Sequence, residues 1–274
     1  AEQISWERWE GTLEYTMMAP VRRVSQLFGA TIFAVMWGLI QVQAVVGWLL
    51  LIMGAMLLIY VLIEAFRLES EARDRIFAIL FLISLNPIFW GLFEQAGGSI
   101  NLYTDRYVDR AGVPGSLFQS INPIYIILLA PLFSWLWVTL GRRGMEPSAP
   151  AKFGLGLLQV GAGFLVFVWG AEAIGIGAEA KTAVIFVFLL YFLHTTGELC
   201  LSPVGLSAMN RLPPTFMAPL IRGAWFYMTA VGNFVGGKIG EATGGHDGEM
   251  TKEATLSVYN TIGWWAIGVG VVVL

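Results

Sequence analysis

Two glutamates, Glu94 and Glu198, lie inside long apolar stretches, each at a four-residue spacing from other polar or aromatic side chains. Asn86, Trp90 and Glu94 form one series, with Gln95 adjoining and Gly97-Gly98 following. His194, Glu198 and Ser202 form the other, followed at once by Pro203. Side chains four apart share one face of an α-helix, so each series predicts a polar stripe on an otherwise apolar helix. Gln119 and Asn122 stand on adjacent turns ahead of Pro123, and Arg222, Trp225, Phe226, Thr229 and Asn233 run along one side of a further segment. A carboxylate in a partly dry cavity can hold an ammonium group by a charge-assisted hydrogen bond. A carboxylate that trades a cationic partner for a proton can couple movement of a solute to protons. Two such carboxylates flanked by aromatics suit a water-accessible cavity for a small zwitterion. Each residue also has a plainer reading: Glu94 and Glu198 as structural ion-pair carboxylates, His194 as a packed neutral imidazole, Trp90 and Trp225 as ordinary packing aromatics in a chain with 11 tryptophans.

The elements that must position these residues are membrane helices. Of the 274 residues 57% are hydrophobic and 13% charged, about half the charged share of a soluble domain. A helix needs about 20 apolar residues to cross the hydrocarbon, and segments near 24–42, 45–66, 76–98, 118–140, 153–174, 182–205, 219–240 and 255–274 meet that length. The runs are continuous, without the alternation of a β-barrel, so an all-α integral membrane protein is predicted. The helix is expected to bend or unwind at Gly97-Gly98 and to be disturbed at Pro203.

With the N-terminal stretch placed inside, the inner segments hold Arg8, Arg22, Arg23, Arg67, Arg73, Arg75, Arg142, Arg143, Lys152, Arg211 and Arg222, and the outer ones hold Arg106, Arg110, Lys181, Lys238 and Lys252. That asymmetry predicts both ends of this segment on the cytoplasmic side. The first two helices, turning near Gln43, are almost free of polar side chains and read as a lipid-facing hairpin, so a two-plus-six arrangement follows. Gly232, Gly236 and Gly240 have the small-xxx-small spacing of closely packed helices. The single Cys200 excludes an intrachain disulfide, and two histidines are too few for a His-rich metal centre. The opening Ala1 and the end on Leu274 within an apolar run read as a piece of a longer polypeptide.

Four runs of residues resemble one family. Asn86-Pro-Ile-Phe-Trp-Gly-Leu-Phe-Glu-Gln95 is similar to the seventh helix of proton-dependent oligopeptide transporters of the major facilitator superfamily. Gln119-Ser-Ile-Asn-Pro123 is similar to the start of that family's eighth helix, Gly197 through Ser207 to its tenth, and Gly223-Ala-Trp-Phe-Tyr through Asn233 to its eleventh. The resemblance implies a six-helix C-terminal bundle over 67–274, preceded by a linker at 1–23 and by the extra helix hairpin of bacterial members at 24–66. The N-terminal six-helix bundle would lie outside this chain. It implies a proton-coupled symporter of di- and tripeptides working by alternating access, not an enzyme, in the bacterial inner membrane. The partners are then the peptide, protons, membrane lipid and the N-terminal bundle, with no nucleic acid and no cofactor. Glu94 would carry proton coupling and bridge to the N-terminal bundle, Glu198 would receive the peptide's amino terminus, and Asn122 would bind the peptide backbone beside it. Trp90, Phe93, Trp225 and Phe226 would line side-chain pockets, Ser202 would be a nearby polar contact, and Asp105 would pair with an arginine of the other bundle as an extracellular gate, with Asp109 and Arg106 as close competitors.

Three other readings compete. The same fold could carry a modified peptide, a drug or an anion; Glu198 favours a solute with an amino group. A membrane enzyme or redox subunit would need a cofactor constellation, which His194 and Cys200, six apart, do not supply. A structural subunit leaves the carboxylates unexplained.

Overall fold

The structure, a computed structural model, describes residues 43–173, 181–244 and 250–274. The predicted linker 1–23 and first hairpin helix 24–42, with Arg8, Arg22 and Arg23, lie outside the described residues, as does His246. The chain divides into two compact units, Ala1–Ile59 and Tyr60–Leu274. The described part of the first is the opening of helix α1 (Gln43–Arg67). This helix exposes Trp48, Leu51, Met56 and Phe66 around its circumference, as a helix solvated by lipid does.

The second unit is built from α2 (Ser70–Phe93), α3 (Ser99–Tyr107), α4 (Ile121–Arg142), α5 (Ala149–Ala173), α6 (Val184–Arg211), α7 (Ala218–Ala242) and α8 (Lys252–Val273). Among the described residues six helical stretches are long and apolar enough to cross a membrane: Val45–Arg67, Ser70–Tyr107, Gly115–Arg142, Ala149–Ala173, Val184–Arg211 and Lys252–Val273. Helix α7 is equally long at 25 residues, about 37 Å at 1.5 Å per residue. It is less apolar because Arg222, Thr229, Asn233, Lys238 and several glycines lie along it.

The predicted break after Glu94 is present. Helix α2 passes into a 3-10 turn over Glu94–Ala96, the chain turns at Gly97-Gly98, and α3 resumes at Ser99. The predicted disturbance at Pro203 is absent, since α6 runs unbroken from Val184 to Arg211. Proline removes one donor, but its fixed φ is helical. Here the helix is held from the opposite side by α5, where a Cβ on Gly156 would lie 2.9 Å from the Gly197 carbonyl oxygen. Outside the helices, Val108–Asp109 pairs in parallel with Thr182–Ala183, tying the end of α3 to the start of α6.

Glycines set the spacing of the bundle. A Cβ on Gly161 would meet the Gly263 carbonyl oxygen at 2.7 Å, bringing α5 onto α8, and a Cβ on Gly232 would meet the Trp90 Cβ at 2.7 Å, bringing α7 onto α2. Such approach replaces hydrophobic driving force with van der Waals contact between backbones. Gly236 packs in the same way against α2, whereas Gly240 touches only the Gln95 side chain, at 3.9 Å.

Candidate functional site

The α2 stripe faces α7. Asn86 is fully buried, and its amide Nδ2 donates to the Trp225 carbonyl oxygen at 3.0 Å and to Thr229 Oγ1 at 3.3 Å. Its role is therefore to tie two helices together. Trp90, one turn on, is half-buried against Gly232, and Glu94 is half-buried with its Cβ 3.2 Å from the position a Cβ on Gly236 would take. Gln95 is pinned in the core: its Nε2 donates to the Gly91 and Gly236 carbonyls at 3.0 and 2.9 Å, while its Oε1 accepts from Ser99 Oγ at 2.7 Å. Tyr259 of α8 donates to Ser99 Oγ at 2.8 Å, and Tyr191 of α6 to the Ala96 carbonyl at 3.3 Å. Where α2 unwinds, Tyr191 of α6 thus meets the Ala96 carbonyl, while Gln95 and Ser99 tie the turn to the α7 backbone and to Tyr259 of α8, which holds the turn carrying Glu94 in place.

The α6 stripe is arranged differently. His194 is buried, with Phe164 at 4.8 Å between ring centroids and Phe93 at 6.1 Å; it occupies an aromatic core. Glu198 is half-buried, and its Oε2 accepts from Asn122 Nδ2 at 3.1 Å. The same amide nitrogen donates to Thr195 Oγ1 at 3.0 Å, and that hydroxyl donates to the Tyr191 carbonyl at 2.7 Å. Asn122 is 2% exposed, locked at the start of α4 just after the 3-10 turn Gly115–Ser120 that carries Gln119. Ser202 is half-buried one turn beyond Glu198. The structure therefore brings Asn122 and Glu198 together, leaving the carboxylate partly open and oriented by a neutral donor.

The aromatic candidates separate. Phe93 and Trp225 are 2% and 3% exposed. Phe93 stacks on Phe89 at 5.6 Å, and Trp225 packs edge-on to Phe153 at 6.1 Å in the space that Gly205 leaves. These two are core side chains within the described residues. Trp90 remains half-buried, and Phe226 is 60% exposed. Asp105 pairs with Arg110 at 3.0 Å, and the Arg110 guanidinium also donates to the Asp105 carbonyl at 2.7 Å. Its partner here is thus in its own loop. Of the competitors, Asp109 Oδ1 accepts from the Ala111 backbone N–H at 3.3 Å and Arg106 reaches the Met250 carbonyl at 3.4 Å.

Thr195, Ser99 and Tyr259 are polar partners that the sequence patterns did not single out, whereas Thr229 stood in the predicted α7 stripe. Thr195 carried a signal, since it lies three residues before Glu198 on the same face. The pairing of Ser99 with Tyr259 spans 160 residues and leaves no local trace. Among the described residues, no three or more His, Cys, Asp or Glu side chains gather as a metal site.

Comparison with known proteins identifies the family. Residues 24–256 match the model of the POT family. The peptide transporter YePEPT of Yersinia enterocolitica subsp. palearctica is 36% identical over 194 residues, which is 69% of this chain and 38% of that protein. The dipeptide and tripeptide permease B of Edwardsiella piscicida is 29% identical over 85% of this chain and 48% of its own length. A crystal structure of a peptide transporter POT in complex with sulfate superposes with a TM-score of 0.68 at 29% identity, covering 92% of this chain and 53% of that one. This chain spans about half the length of the curated relatives it matches.

Proposed function

The chain belongs to the POT family, with an all-α, major-facilitator-type fold, and from that premise we propose that it is the C-terminal half of a proton-coupled symporter of di- and tripeptides. The observation that carries the reading is the Asn122–Glu198 pair. A half-buried carboxylate held at 3.1 Å by a buried amide keeps lone pairs for a further donor and has no cation among its described hydrogen-bond partners. A peptide's ammonium group supplies the missing charge, and a charge-assisted hydrogen bond to it is about twice as strong as a neutral one. Asn122 fixes the carboxylate's direction, so affinity does not depend on ordering it at the moment of binding.

Glu94 takes the proton. It sits where α2 unwinds, held by the Gln95–Ser99–Tyr259 chain, and would exchange its proton for a cation of the N-terminal bundle as the two halves rock around the shared site. Trp90 and Phe226 line the side-chain region, Phe93 and Trp225 back it from the core, and Ser202 adds a polar contact near Glu198. Asp105 would leave Arg110 for an arginine of the other bundle when the outer side closes. In this reading residues 24–66 are the accessory hairpin, 67–274 the C-terminal bundle and 1–23 the linker, with both ends of the segment cytoplasmic in a bacterial inner membrane. The relatives named as dipeptide and tripeptide permeases support the substrate class.

The test is uptake of labelled dialanine into proteoliposomes holding the full-length protein, with and without an inward proton gradient. The proposal predicts accumulation against the peptide gradient, abolished by an uncoupler and competed by unlabelled di- and tripeptides. A well-folded preparation without uptake would redirect the same scaffold to another small solute.

A further inference from the structure

The amide nitrogen of Asn122 serves two acceptors three residues apart on α6, Thr195 Oγ1 at 3.0 Å and Glu198 Oε2 at 3.1 Å. Residues at that spacing are neighbours on one helix face, so a single amide at the start of α4 spans both. The Thr195 hydroxyl in turn donates to the Tyr191 carbonyl oxygen at 2.7 Å. A hydroxyl has one hydrogen to give and lone pairs to receive with. With its hydrogen on Tyr191, Thr195 can only accept from Asn122, and an ionised carboxylate only accepts. Both neighbours therefore require the NH2 end of the amide, and a flipped amide would set its oxygen against two acceptors. Thr195 and Asn122 are 0% and 2% exposed, so water does not replace a hydrogen bond lost between them. The adjacent Thr196 is a contrast. Among the described residues its hydroxyl bonds only to the Leu193 carbonyl oxygen, at 3.0 Å.

We propose that Thr195 is the positioning residue that sets the orientation of the Asn122 amide, and through it the preference of the Glu198 site for a solute end rich in hydrogen donors. The inference rests on the reading of Glu198 as the receiver of the peptide's amino terminus. With Thr195 and Glu198 engaging the two hydrogens of the Asn122 nitrogen, the amide has only its oxygen left to offer a solute. The ionised Glu198 likewise offers only acceptors. A primary ammonium brings three N–H donors and a positive charge to such a pair, whereas an acetylated nitrogen brings one donor and no charge. Removing the Thr195 oxygen leaves one buried amide hydrogen without an acceptor and releases the amide from its single orientation. Thr195 thus acts on the solute through Asn122 and not by contact.

The experiment is saturation of labelled dialanine uptake by the full-length protein in proteoliposomes, with N-acetyl-dialanine as competitor. Thr195→Val keeps the side chain's shape and removes the hydroxyl. It should raise the half-saturating dialanine concentration about three- to tenfold, the scale of one neutral hydrogen bond, with the maximal rate within about twofold of wild type. Inhibition by N-acetyl-dialanine should change by less than about twofold, since that ligand lacks the ammonium group. Thr195→Ser should restore the wild-type value, and Thr196→Val should leave it unaltered. In an Asn122→Ala background Thr195→Val should cause no further loss, because the hydroxyl acts only through the amide. A merely structural threonine would weaken both ligands alike and add to the loss at Asn122. Thr195→Ala replaces the valine variant if that one fails to fold. An unchanged half-saturation, equal losses for the free and acetylated dipeptides, or a loss that adds to that of Asn122→Ala would overturn the assignment while leaving peptide transport standing. A wild-type protein that takes up no dialanine would overturn the function reading and this inference together.

Discussion

The stripes on α2 and α6 share one spacing and differ in what their side chains meet. On α2 the first member, Asn86, bonds to a neighbouring helix backbone, and the helix unwinds directly after the last member, Glu94. On α6 the first member, His194, sits among aromatic rings, the middle member Glu198 meets Asn122, and the helix continues through Pro203. A four-residue step advances about 40° beyond a full turn, so three such residues spread over about 80° and can meet different neighbours. What separates the stripes is what lies opposite. Glycines of α7 approach α2 and glycines of α5 approach α6, but α7 also offers the Trp225 and Gly236 carbonyls to Asn86 and Gln95, whereas α5 sets Phe164 beside His194. The difference leaves Glu198 on a continuous helix beside Asn122 and Glu94 at a helix break.

The largest effect expected from breaking this division is at Glu198. Glu198→Ala should weaken binding of dialanine by about 100-fold, the scale of a lost hydrogen bond to a charged group, and change binding of N-acetyl-dialanine by less than about threefold; competition against labelled substrate measures both. Equal losses would remove the amino terminus from Glu198. Asn86→Leu should destabilise the folded protein by about 1–2 kcal/mol in denaturant titrations in detergent, because it deletes the tie between α2 and α7 and leaves buried polar atoms unmet. A loss of affinity without a loss of stability would instead place Asn86 in the binding surface. The smallest effect is at Pro203. Since α6 passes through it unbroken, Pro203→Ala should leave dialanine uptake within about twofold and stability unchanged or slightly raised. A collapse of uptake would show that a flexible point at Pro203 is used during the transport cycle.

Long elements were readable because lipid imposes length and continuity on them: α5 and α8 begin within four residues of their predicted starts. Gly97-Gly98 announced the break after Glu94, since two glycines beside a carboxylate in an apolar run have few other uses. Pro203 misled because its cost depends on whether neighbouring helices hold the turn, which is a tertiary property. Trp225 could be read either as a packing aromatic or as a pocket residue, and Phe93 only as the latter; the choice depends on Gly205 and Phe89, which pack on them from elsewhere in the fold. The Asn122–Glu198 contact joins residues 76 apart, and only the resemblance to a family brought the two together in advance.

Under the proposed function two carboxylates divide the labour, Glu94 for the proton and Glu198 for the peptide's amino terminus. This division is tested most directly by measuring proton-driven accumulation and peptide exchange side by side in Glu94→Gln and Glu198→Gln proteoliposomes of the full-length protein. Glu94→Gln is expected to retain exchange and lose accumulation, while Glu198→Gln is expected to lose both through weakened binding. Accumulation that survives in Glu94→Gln, or exchange that survives undiminished in Glu198→Gln, would contradict it.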